Sequence, residues 1–184
     1  MIRYYNSGNT YFQETDSLSK AFWINLSPPF RPGELDQFAN TLGIESDFLT
    51  DPLDIEERAR YERYDEARSI IMNTPVLNET EKENDPIFIT VPLGIILWQD
   101  KIITICSVES PIIDRFLDNR TKFSYIRDET RFILQLFEYT VRLFLEDLRK
   151  LNLRRNLIEE ELYHSSRWKN FAVCLELKNL WYIL

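Results

Sequence analysis

Between residues 128 and 162 the chain places Ile133, Phe137, Val141, Phe144, Leu148, Leu151, Arg155, Ile158 and Leu162 in steps of four and three. Eight of these nine are apolar, which sets them along one seam of a long α-helix. Arg155 is the polar break, and the other faces carry mixed charge, as expected of a solvated helix extending past its globular domain. The pattern is that of a stalk or a partner-binding helix. Tyr163-His164-Ser165-Ser166 reads as a corner, and residues 171–184 as the start of a second helix, so a longer chain is expected.

The preceding residues read as a mixture of strands and short helices. Arg3-Tyr4-Tyr5 and Thr10-Tyr11-Phe12-Gln13, separated by Asn6-Ser7-Gly8-Asn9, predict a hairpin. Residues 21–26 predict a strand stopped by Pro28 and Pro29, which cannot donate to a ladder. A helix is expected from Arg31 to Leu42, with Leu35, Phe38, Ala39 and Leu42 on one face and Gly43 as its stop. Short helices follow at residues 45–49 and 51–54. Residues 56–65 are almost all charged or aromatic and predict an exposed edge or loop, residues 67–73 a buried strand, and residues 78–85 a polar loop. Strands are expected at 87–91, 93–98 and 102–108, turning at Gln99-Asp100-Lys101. Pro111 then opens a helix to Leu117.

Composition narrows the function. Aromatic residues are 14% of the chain, enough for a packed core, which rules out disorder as its main state. The net charge of -8 lies wholly in residues 45–86, where thirteen acids face five bases; elsewhere the signs balance. Such a balance argues against a phosphate-backbone binder, whose affinity comes from clustered Lys and Arg, and favours cations or basic surfaces as partners. Two distant cysteines, Cys106 and Cys174, make no disulfide framework, which sets a reducing cytoplasmic expectation. The N-terminus is too polar for a secretory signal. Pro92, Gly94 and the Gln99-Asp100-Lys101 triplet interrupt the longest apolar run, so no stretch reaches the roughly 20 residues of a membrane span.

No catalytic constellation assembles. His164 is the single histidine and the four glycines are scattered, which excludes HExxH, Walker A and GxGxxG patterns. Cys106 sits in an apolar strand and reads as a small core residue. Acidic groups remain. Glu79, Glu81, Glu83 and Asp85 in the polar loop, and Glu159, Glu160 and Glu161 near the end of the long helix, are the candidate metal-binding residues. Mg²⁺ takes oxygen ligands and keeps several waters, so one or two carboxylates per subunit suffice if neighbours supply others. The competing reading is a solvated face. Consecutive helical glutamates point about 100° apart and form a diffuse negative tip rather than a chelate.

The run DPLDIEERARYERYDEARSIIMN at 51–73, then IFITVPLGIIL at 87–97, the turn, IITI at 102–105 and a long helix, resembles the cytoplasmic domain of the CorA family of divalent-cation transporters. The resemblance covers nearly the whole chain. It implies an α/β fold: a central mixed β-sheet flanked by helices on both faces, then a long stalk helix and the start of a return helix at Leu175-Glu176-Leu177-Lys178-Asn179-Leu180. Residues 1–125 would form the cytoplasmic head and 126–184 the stalk. The family's Gly-Met-Asn signature lies between two C-terminal membrane helices and is not in this sequence. The family's regulatory acid after the 67–73 strand falls here at Pro75-Val76; Glu79 is the nearest acid downstream.

The resemblance implies no enzyme but a regulatory domain of a Mg²⁺ transporter, with Co²⁺, Ni²⁺ or Zn²⁺ as alternative ions. It also implies a homo-oligomer, pentameric at full length, on the cytoplasmic side of a cell membrane that the missing C-terminal part would enter. Cation between subunits would offset the repulsion of their acidic surfaces. The alternatives are a zinc transporter of the same architecture and a soluble module whose helix seam binds a partner helix.

Overall fold

The computed structural model describes residues 1–7, 12–64, 66–78, 86–118 and 128–164. Seven strands form one mixed sheet: β1 (Ile2–Ser7), β2 (Phe12–Thr15), β3 (Trp23–Leu26), β4 (Arg60–Tyr64), β5 (Ala67–Leu77), β6 (Phe88–Trp98) and β7 (Lys101–Cys106), in the order β2-β1-β3-β7-β6-β5-β4. β3 and β7 run parallel, with Asn25 opposite Thr104, while β1–β2, β1–β3, β4–β5 and β6–β7 are antiparallel. Every residue of β3 and β7 is buried. That is why these central strands read as continuous apolar runs rather than as alternating ones.

The chain divides into two compact units. One comprises Met1–Thr74 with Val91–Phe137, the other Pro75–Thr90 with Glu138–Leu184. In the first, helices cover both faces of the sheet. α1 (Glu34–Leu42) and α2 (Asp47–Thr50) bury Leu35, Phe38, Leu42, Phe48 and Leu49 in a core with Ile24, Leu26, Ile96, Ile103 and Ile105. The positions 35, 38, 39 and 42 share one helical face, and burying a side chain the size of Phe38 or Leu42 is worth about 1.5–3 kcal/mol. Gly43 ends α1 at φ +71°, and its N–H bonds the Ala39 carbonyl at 2.8 Å. A 3₁₀ turn (Asp51–Leu53) follows α2.

The opposite face holds Trp23, which alternates with Ile24 along β3 and so points the other way. Its ring lies 4.7 Å from Tyr5, 5.0 Å from Phe12, 5.4 Å from Phe132 and 6.1 Å from Phe116. Phe116 belongs to α3 (Pro111–Leu117), and Phe132 to the first turns of α4 (Glu129–His164). Arg68 and Glu129 join β5 to α4 through an ion pair at 2.6 Å.

Of the two alternatives for residues 56–65, the structure takes the exposed edge: the run contains a regular strand, β4, at the sheet edge, where its paired charges suit it. Another expectation changes. The strands at 87–91 and 93–98 are one strand, β6, running through Pro92. The ladder to β7 ends at Leu93, so the missing N–H of Pro92 removes no bond on that side. The long helix α4 forms as expected. Its buried line is Phe132, Leu136, Thr140, Leu143 and Asp147, each one residue before a position of the apolar seam. In the seam itself Phe137 and Val141 are 40% and 56% exposed, while Ile133, Phe144, Leu148, Leu151 and Ile158 are half-buried; Leu134, outside the seam, is 63% exposed. The predicted hairpin turn, the loop at 79–85 and the return helix at 171–184 lie outside the described residues.

Candidate cation-handling surfaces

The acidic stretch is partly neutralised by its own arginine. The Arg60 guanidinium, on β4, reaches Asp51 at 2.5 Å, Glu62 at 2.8 Å and Glu57. Asp54 accepts a hydrogen bond from the backbone N–H of Glu56 at 3.0 Å. These carboxylates therefore fix the 51–62 segment against the sheet edge, and one partly exposed arginine serves three of them. Glu45 and Glu66 take no part in that network.

Of the sequence-predicted metal residues, Glu79, Glu81, Glu83 and Asp85 lie outside the described residues. Asn78 and Pro86 bracket them: the Asn78 side-chain amide donates to the Pro86 carbonyl at 2.9 Å, and its backbone N–H to the Ile87 carbonyl at 2.8 Å. Those two bonds close the loop's base. Glu159, Glu160 and Glu161 are exposed on the last turns of α4, and Glu159 pairs with Arg155 at 3.4 Å. Among the described residues no three Asp, Glu, His or Cys side chains stand close enough to hold one metal ion. A cation at the α4 end would thus need ligands from elsewhere or remain hydrated.

Two polar residues that composition did not single out, Thr140 and Asp147, are on the buried line of α4. Asp147 is 6% exposed, and its carboxylate accepts from Lys150 at 2.7 Å. The same ammonium lies 5.7 Å from the centre of the Phe88 ring, a cation–π distance. A buried carboxylate requires such a partner, since an unpaired one would be strongly penalised. Its only sequence signal is the three-residue spacing to Lys150.

Cys106 is buried on β7, its thiol donating to the Pro92 carbonyl at 3.4 Å, and burial pushes its pKa up. That is the environment of an inert core thiol, not of a nucleophile. Among the described residues no helix is long and apolar enough to cross a membrane.

A sheet with helices on both faces, an acid-rich edge and a long helix with exposed apolar side chains define a class, and comparison with known proteins identifies it. Residues 19–179 match the family described as CorA-like Mg²⁺ transporter protein, and the chain belongs to that family. No curated protein matches the chain. The fold resembles the soluble domain of CorA from Methanocaldococcus jannaschii, at TM-score 0.80 and 20% identity over 100% of this chain and 72% of that one. It resembles the complete CorA magnesium transporter of the same organism at TM-score 0.79 and 19% identity, over 98% of this chain and 56% of that one. The ZntB cytoplasmic domain from Vibrio parahaemolyticus RIMD 2210633 is similar at TM-score 0.57 and 14% identity, over 88% of this chain and 63% of that one. At these identities the likeness is one of fold, and the chain spans little more than half of the complete transporter.

Proposed function

We propose that this chain is the cytoplasmic regulatory part of a divalent-cation transporter, sensing Mg²⁺ and passing the signal to a membrane pore. The observation that carries the reading is the family match over residues 19–179, with a fold like that of the CorA soluble domain. The exposed apolar residues Leu134, Phe137 and Val141 on α4 support a homo-oligomer in which neighbouring copies cover these side chains; a pentamer is the proposed full-length assembly. Residues 1–125 are the proposed head and 126–184 the proposed stalk.

In mechanism, the acidic excess of residues 45–86 is repeated in every copy. Packed side by side without cation, such surfaces repel; Mg²⁺ held between them, with most of its waters retained, offsets the repulsion and favours the closed arrangement. Glu79, Glu81, Glu83 and Asp85, together with Glu159, Glu160 and Glu161, are the proposed contributors. The test is thermal melting of the chain with millimolar Mg²⁺ at constant ionic strength. A rise in melting temperature above that given by K⁺ supports sensing, and an unchanged melting temperature refutes it for this chain.

The likeness to the ZntB cytoplasmic domain motivates a second reading, with Zn²⁺ as the ion. Comparing the two metals in the same melts separates them, because preferential protection by Zn²⁺ would reassign the cation.

A further inference from the structure

We draw no further inference here: the strongest candidate, the exposed apolar face that Leu153 and Leu157 form toward the end of α4, carries nothing because nothing in the structure shows what covers it.

Discussion

The indole N–H of Trp23 donates to Thr104 Oγ1 at 2.8 Å across the parallel β3–β7 pair, and the same hydroxyl donates to Asn25 Oδ1 at 2.8 Å. All three side chains are buried, so this short relay satisfies polar groups that no water reaches. Thr104→Val keeps the shape but strands the Trp23 donor and the Asn25 acceptor. The expected loss is about 1–3 kcal/mol, read as a lower urea midpoint at unchanged m-value.

Gly94 lies against the 3₁₀ turn at Pro52. A Cβ added there would stand 2.9 Å from Ile105 Cγ2 and as close to Pro52 Cβ, in the middle of a buried strand. Gly94→Ala is therefore expected to destabilise the chain by about 1–3 kcal/mol through overpacking. Gly43→Ala has open space around it and only a positive φ to accommodate, for which about 1–2 kcal/mol is expected. If the first variant melts with the wild type, the packing of Pro52 on β6 is wrong.

Burial raises the Cys106 thiol pKa, so the folded state disfavours its thiolate. The sign follows: the folded pKa lies above the unfolded one, so stability is full below the unfolded value and falls as pH rises through it. In a Cys174→Ser background, iodoacetamide at pH 8.5 should label the native protein far more slowly than the urea-unfolded one. Equal rates would mean an accessible thiol.

The exposed line of α4 should govern self-association. Phe137→Asp together with Val141→Asp replaces two exposed apolar side chains and should leave the monomer's melting temperature within a few degrees. Sedimentation equilibrium is expected to show a shift toward monomer. An undiminished oligomer would place the interface elsewhere.

Much of this architecture was legible before any coordinates. Pro111 followed by Ile112, Ile113 and Phe116 predicts α3 residue for residue, and the β-branched runs around Gln99 predict the β6–β7 hairpin. The buried stripe of α4 was not legible, because Thr140 and Asp147 are polar while the adjacent seam is apolar. Hydropathy picks the greasier stripe, whereas the core takes the one headed by Phe132, whose ring meets Trp23 and Phe116. The charges of residues 56–65 left edge and loop both open, and the structure takes the edge, with Asp51, Glu57 and Glu62 gathered around Arg60 of β4. The acids singled out at 79–85 lie outside the described residues, and those at 159–161 remain dispersed along the helix surface.

The central claim, that bound Mg²⁺ draws acidic copies of this chain together, is tested most directly by sedimentation velocity across a Mg²⁺ titration at fixed ionic strength. The account predicts an increase in sedimentation coefficient over millimolar Mg²⁺ that K⁺ does not reproduce. Neutralising Glu79, Glu81, Glu83 and Asp85 to their amides should move that transition to higher Mg²⁺. A sedimentation coefficient that ignores Mg²⁺ throughout would contradict it.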